Sequence, residues 1–281
     1  MISASETFQN FSTALKKELG VAILEQQVED KIWQISFENK PLQLNFYTLG
    51  STEGRIKNAP DEAQKASQIP KTIHLDEDLW VQQPRIVMGR LLALLGKARK
   101  IHARETVVAR IDKKMALQFQ TEHHLHVALP GKYRYGLFYQ GELVSIAVLS
   151  GGRKMRGQTP EYRSFELLRT CQKSGLVVVG GLSKLIRHFE EQFQPDDLMT
   201  YIDKDWSDGE SYLKLGFKQV GELPPQQFWV DCRTLLRYTD FELPEEIVSC
   251  APKHRQELAF RQITNSGSLK LVKKNFIPTF G

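Results

Sequence analysis

One stretch of this chain limits its fold more than any other. Leu176 to Val179 is a short apolar run of strand type, Gly180 and Gly181 interrupt it, residues 183 to 193 carry a helical pattern closed by Pro195, and Leu198 to Ile202 is apolar again. Strand, glycine pair, helix and strand in immediate succession place the chain in the α/β (α+β) class. Upstream, the β-branched residues from Glu105 to Ile111 predict a strand, and Asp112 reads as the N-cap of a helix running to about Glu122. Tyr135 to Tyr139 and Leu143 to Leu149 read as two strands of a hairpin turning through Gln140-Gly141-Glu142, with Phe165 to Cys171 as the next strand. Downstream, Ser207 to Leu215 reads as a short helix stopped by Gly216, and Phe228 to Val230 as a last strand.

The N-terminal part has a pattern of its own. Phe8, Phe11, Ala14, Leu15 and Leu19 sit at helical spacing over residues 6 to 19, with Gly20 as the stop. Val21 to Leu24, Ile32 to Phe37 and Leu42 to Tyr47 predict a β-meander, the last two joined by Glu38-Asn39-Lys40-Pro41. Residues 50 to 70 read as a loop, Ile86 to Leu95 as a helix ended by Gly96, and Lys97 to Lys100 as a basic connector. This predicts a small α+β domain over 1–100, a second domain over 101–235 and a basic C-terminal segment over 236–281.

The chain has 281 residues, of which 41% are hydrophobic and 25% charged, and no stretch is of low complexity, so it is expected to fold into a packed core. Its longest apolar run is far below the roughly 20 residues that cross a bilayer, and the N-terminus lacks the basic start and apolar core of a secretory signal. The expectation is a cytoplasmic protein with no membrane contact. Cys171, Cys232 and Cys250 lie too far apart for a zinc or redox motif and are expected to be free thiols. The formal net charge of +5 is unevenly spread. Residues 85 to 114 hold nine Lys or Arg against Glu105 and Asp112, and the chain from Ala251 onward holds six against Glu257. Such clusters suit nucleic acid as a partner, or are a solvated surface.

The late helix ends in Ser211-Tyr212-Leu213-Lys214-Leu215-Gly216-Phe217. With the hairpin before the central strand, this ending resembles the acyl-CoA N-acetyltransferase (GNAT) fold. Several segments are similar more specifically to a GNAT-like domain of phage-encoded and phage homing endonuclease-associated proteins. They are Ile73-His74-Leu75 with Trp80, Gly136-Leu137-Phe138-Tyr139 with Glu142-Leu143-Val144-Ser145, Glu166-Leu167-Leu168-Arg169 with Cys171, Val178-Val179-Gly180-Gly181 with Ser183-Lys184-Leu185, and Tyr201, Asp203, Trp206-Ser207 and Gly209. The resemblance implies a mixed central sheet flanked by helices, an acetyl-CoA or other acyl-CoA cofactor, and acyl transfer to a small-molecule or protein acceptor that the sequence does not name. In the usual Q/R-x-x-G-x-G/A loop only the middle glycine is kept here, as Gly180 of Val177-Val178-Val179-Gly180-Gly181-Leu182. An upstream nuclease core is absent from residues 1 to 70.

The candidate cofactor-binding residues are Val179, Gly180, Gly181, Ser183 and Lys184. Two glycines at a strand end let the backbone approach a phosphate, and the helix they open offers free N–H groups and its positive dipole end. The alternative is that they only permit a tight strand-to-helix turn. The residues after Gly180 are Gly181 and Leu182, so the loop is not a Walker A loop, and no G-x-S-x-G elbow is present. Acetyl transfer requires a base for the amine and an acid for the leaving thiolate. Tyr212 stands where many GNAT enzymes carry the acid, with Glu166 or His124 as candidate base. Against this, Tyr212 could simply pack and Glu166 simply pair with Arg169. His124 and His126 could share a metal, or be polar residues at a strand edge, and no third ligand follows at a convincing spacing. The alternative function is a non-catalytic or nucleic-acid-modifying module that uses the basic stretches.

Overall fold

The computed structural model describes residues 4–20, 22–38, 40–49 and 71–274. The predicted 50–70 loop and Val21 lie outside them. In chain order the first elements are α1 (Ala4–Leu19), β1 (Ile23–Glu29), β2 (Ile32–Phe37), β3 (Leu42–Tyr47), β4 (Lys71–Asp76), α2 (Glu77–Gln82), α3 (Pro84–Leu94) and β5 (Arg99–His102). A 3-10 turn at Ala103–Glu105 leads to β6 (Val107–Arg110), α4 (Lys113–His123), β7 (Tyr133–Tyr139), β8 (Glu142–Leu149), β9 (Ser164–Gln172) and β10 (Leu176–Val179). Then come α5 (Gly181–Phe193), β11 (Asp197–Asp203), α6 (Glu210–Leu213), β12 (Lys218–Leu223), β13 (Gln227–Asp231) and β14 (Arg237–Tyr238). The last are α7 (Glu245–Val248), α8 (Pro252–Glu257), β15 (Phe260–Thr264) and β16 (Ser268–Lys274).

The chain divides into two compact units, and each is interrupted in sequence. The first gathers the described residues up to Val87 with Asp203–Asp208 and Leu223–Ser268, and the second gathers Met88–Ile202, Gly209–Glu222 and the described residues from Leu269. The C-terminal residues are therefore shared between the units. Some of their cations are spent internally. Arg255 donates to the carbonyls of Ile247, Val248 and Cys250 and lies 4.9 Å over the Trp229 ring, while Lys273 pairs with Glu190 at 2.7 Å.

In the first unit the sheet order is β1-β2-β3-β4, antiparallel except for the parallel β3–β4 pair. The apolar face of α1 covers it. Phe8 stacks on Trp33 at 4.3 Å and Phe11 on Phe46 at 5.0 Å, and Phe8, Phe11 and Leu15 are fully buried. Full burial of one such side chain contributes about 1.5–3 kcal/mol. Arg237 grips both Asp76 and Asp78 at 2.8 Å, and the two carboxylates are 5% and 2% exposed. Phe228 to Val230, expected as the last strand of the central sheet, belongs to this unit, in the separate sheet β14-β13-β15 with Trp229, Leu243, Ile247 and Phe260 as its core.

The second unit is built on a seven-stranded sheet of order β12-β16-β11-β9-β8-β7-β6. Strands β6 to β9 are mutually antiparallel, and β9 runs parallel to β11. The outer strands β12 and β16 were not foreseen, because Ser268–Lys274 reads as a basic tail until β11 gives its alternating Leu269 and Leu271 a core to enter. Asp112 caps α4 as expected, its Oδ1 accepting from the Met115 N–H at 2.8 Å. The expected connector Lys97 to Lys100 instead runs into β5, which pairs in parallel with β10. Helix α5 buries Leu185, Ile186 and Phe189 in the main core with Leu137, Phe165 and Leu198.

Candidate functional site

The parallel pairing of β9 with β11 stops after three residues, Asp197 with Ser164, Leu198 with Phe165 and Met199 with Glu166, although β9 continues to Gln172 and β11 to Asp203. The two strands splay. On its other side β9 steps from Arg169 to Leu167 while β8 advances only from Val148 to Leu149, so Leu168 is an extra residue that bends the strand. The gap lies between β9 and β11, because β10, the strand between them in sequence, has left the sheet to pair with β5.

A cavity of about 170 Å³ lies against the part of β9 beyond its last residue paired with β11, lined by Thr170 and Gln172 of β9, Leu182 and Leu185 of α5, Ser145 of β8, and Ser211 and Tyr212 of α6. The Tyr212 hydroxyl hydrogen-bonds Thr170 Oγ1 at 2.9 Å. Burial pushes its phenol up, against smaller opposing effects of the Thr170 hydrogen bond and the Arg90 charge. Tyr212 therefore keeps its proton across the neutral range and can donate it, as a general acid must.

Residues 179 to 184 form the turn into α5. Gly180 has φ 77° and ψ 4°, the left-handed region in which a β-carbon is strained. Gly181 is buried, and a β-carbon there would come to 3.0 Å from Val178 and 3.1 Å from Leu137. Its small size thus serves the packing of α5 against the core and not the approach of a ligand. Val179 is exposed and Ser183 half-buried. Lys184 is turned inward, its Nζ donating to the carbonyls of Ala103 at 2.8 Å and of Thr106, with Thr106 Oγ1 at 3.5 Å. Those contacts match its three donors, so the ammonium ties α5 to the β5–β6 connection instead of meeting a phosphate. What remains for an anion is the helix end itself, where the first N–H groups have no intrahelical acceptor.

The two candidate bases stand elsewhere. Glu166 pairs with Arg153 at 2.5 Å, not with Arg169, and lies four residues along β9 from Thr170, about 13 Å at strand rise. His124 lines a second cavity of about 240 Å³ with Gly89, Arg90, His123, Lys173 and Ser174. Burial first, then the charges of His126, Arg90 and Arg169, hold its imidazole well below the usual histidine range. Its Nδ1 accepts the His126 N–H at 3.1 Å. The His126 carbonyl also stands 3.4 Å from the same nitrogen, so the His126 backbone engages Nδ1 and does not leave it open to a substrate proton. Among the described residues no group of three His, Cys, Asp or Glu could hold a metal. Cys171, at the end of β9, is buried and its thiol is pushed up to about 12 by desolvation, which leaves it no thiolate at neutral pH.

Arg90 is the residue that sequence reasoning missed. Of the nine basic residues between 85 and 114, the other eight are exposed and Arg90 is half-buried. Its neighbour Gly89 explains the placement, since a β-carbon there would stand 2.9 Å from Gly175 N and from Ser174 Cβ. Helix α3 seats on the turn after β9 only because residue 89 has no side chain. The visible signal was a Gly-Arg pair inside a helical pattern.

No family model and no curated protein matches this chain. Among solved structures it is similar to the ribosomal-protein-S18-alanine N-acetyltransferase of Escherichia coli, at 8% identity and a TM-score of 0.40, over 63% of this chain and 97% of that one. It is also similar to an IAA acetyltransferase of Bacillus cereus, at 16% identity and a TM-score of 0.34, over 60% and 99% of the two chains. A GNAT family acetyltransferase of Elizabethkingia anophelis, solved with acetyl-CoA bound, matches at 12% identity and a TM-score of 0.34, over 61% and 99%. The sheet of the second unit is mixed and flanked by helices, as expected: four antiparallel strands, then a parallel neighbour that splays away, with a helix in the connection between them.

Proposed function

We propose that the second unit binds an acyl-CoA at the splay between β9 and β11 and transfers its acyl group to an acceptor, with Tyr212 as the proton donor. The observation that carries this reading is the protonated Tyr212 hydroxyl, fixed by Thr170 at a cavity that also touches the first turns of α5. The site fits the group in its donor set: the orphan amides at the start of α5 suit a phosphate, and Leu182 and Leu185 give an apolar wall for the arm that follows. When bound, the acyl-CoA would supply an activated thioester. Tyr212 holds a proton at its Oη beside that position, where a departing thiolate needs one. Ser145 and Gln172 also line the cavity, but Gln172 Oε1 is engaged by the Val178 N–H at 2.7 Å and steadies the turn into β10. Cys171 is held as a thiol, which favours direct transfer to the acceptor over a covalent acyl-enzyme.

Calorimetry against acetyl-CoA and free CoA tests the binding, and release of free thiol in the presence of an amine panel tests the transfer. A wild-type protein that shows no heat with millimolar acetyl-CoA would refute the reading.

A further inference from the structure

The chain between α3 and α4 carries charge that acyl transfer leaves unused. Residues 97–114 hold seven Lys or Arg against Glu105 and Asp112, an excess of five, which equals the formal net charge of +5 of the whole chain. The charge asymmetry of the protein is thus concentrated in this one stretch of the second unit. It runs through β5, the 3-10 turn, β6 and the first turn of α4, and β6 is an end strand of the seven-stranded sheet. All seven cations are exposed, and among the described residues none of them has a carboxylate within ion-pair distance. The two carboxylates are engaged locally, Glu105 accepting the His102 N–H at 2.9 Å and Asp112 capping α4. Local stability does not account for this placement. Lys113 and Lys114 occupy the first turn of α4, where the positive end of the helix dipole opposes a cation, and Arg99 and Lys100 stand side by side on β5. Cations kept where the fold disfavours them draw their stabilisation from elsewhere, and a dense row of negative charges supplies it.

We propose that this stretch is a docking surface for the phosphate backbone of double-stranded nucleic acid, bound without regard to base sequence. The surface does not rest on the acyl-transfer reading. Arg104 precedes β6 and Arg110 ends it, and the strand covers about 10 Å, a length over which one strand of a duplex presents about three phosphates. Lys113 and Lys114 continue the row beyond Arg110. Residues 97–114 contain no Phe, Tyr or Trp, and the neighbouring Tyr139 ring has the Arg99 guanidinium 5.8 Å over it, so no open aromatic platform exists for unstacked bases. That favours a duplex, whose bases stay paired, over a single strand. Of the large apolar side chains in the stretch only Val107 is exposed, too little to anchor a membrane surface or the apolar positions of an acidic peptide. From Ala251 onward, by contrast, Arg255 and Lys273 are held by internal partners, so the row between α3 and α4 is the better surface.

The test uses the full chain and fluorescence anisotropy with short end-labelled duplexes of DNA and of RNA in unrelated sequences. The matching single strands, polyglutamate, and vesicles of phosphatidylserine in phosphatidylcholine run alongside. Duplex binding of equal strength for unrelated sequences is expected, and the tighter of the DNA and RNA arms identifies the source. With Arg104, Arg110, Lys113 and Lys114 each on a phosphate, an about threefold rise in salt should weaken binding about fiftyfold. Replacing the four together by Gln should weaken it at least about tenfold at low salt and remove most of the salt dependence. Lys154→Gln with Arg156→Gln, at exposed cations of another loop, should change it by less than about twofold. If the fourfold variant fails to fold by circular dichroism, Arg104→Gln with Arg110→Gln, and Lys113→Gln with Lys114→Gln, carry the comparison. Absent duplex binding at low salt, a preference for single strands, polyglutamate or vesicles, or an equal loss in the Lys154 and Arg156 variant overturns the proposal. So does a duplex affinity that neither salt nor the folded variants of the row change.

Discussion

Tyr212, on a helix of a single turn, and Thr170, near the end of a strand, are joined by a 2.9 Å hydrogen bond at the mouth of the gap where β9 and β11 part. The bond does two things: it orients a phenol that must stay protonated, and it ties the chain that follows β11 to β9, the strand from which β11 has parted.

Tyr212→Phe removes the proton donor and keeps the ring. Turnover should fall about a hundredfold while acetyl-CoA affinity stays within about twofold, since general acid catalysis is commonly of that size. Steady-state rates and calorimetry on one preparation check it. A parallel loss of affinity would make Tyr212 a binding residue only.

The three thiols should differ in reactivity. Cys171 is buried with its thiol pushed up to about 12, whereas Cys232 and Cys250 are partly exposed. Iodoacetamide at neutral pH should label Cys232 and Cys250 well before Cys171, as read by peptide mass mapping, and Cys171→Ser should retain most of its transfer activity.

Two adjacent glycines should respond to alanine for different reasons. Gly180→Ala strains a positive φ and should cost about 1–2 kcal/mol. Gly181→Ala overpacks Val178 and Leu137 and should cost about 1–3 kcal/mol, so the β-branched Gly181→Val is expected to damage the fold itself. Urea denaturation resolves both.

Alkaline conditions should reveal Tyr162. Burial, then its hydrogen bond to Asp197 at 2.6 Å, raises its phenol from 10.0 to about 12. The folded state therefore holds this proton more tightly than the unfolded chain does. The stabilisation is complete below pH 10 and is lost as pH climbs from there toward 12. Tyr162→Phe should flatten that part of a stability-against-pH curve.

Losing Arg237 should be the most damaging single change in the first unit. Arg237→Met leaves Asp76 and Asp78 buried without their cation, and a loss of about 3–5 kcal/mol is expected. Asp78→Asn should cost less, because Asp76 still pairs with Arg237.

What the sequence made legible was local. The hairpin at β7 and β8, the Asp112 cap, and the glycine turn into α5 each follow from neighbours along the chain, and each is present. The misplaced features depend on residues far away. Lys184 looks like a phosphate ligand until Ala103 and Thr106 supply carbonyls for it, and Phe228 to Val230 looks like a sheet strand until β15 takes it up. The extra residue Leu168, which bends β9, has no signature of its own, so the true partners of the gap could not be read. Arg90 was hidden for the opposite reason, as one cation among nine whose neighbours all stay in water.

The grip of Arg237 on Asp76 and Asp78 also sets a timetable. The two carboxylates leave the ribosome long before their cation does, with the whole of Met88–Ile202 made in between. During synthesis the amino-terminal sheet must wait with two ionised groups in water, able to assemble but not to seal. Strands β6 to β12 are also made before that arginine, but β16, which sits between β12 and β11, is made after it, so both units close only when the C-terminal residues emerge.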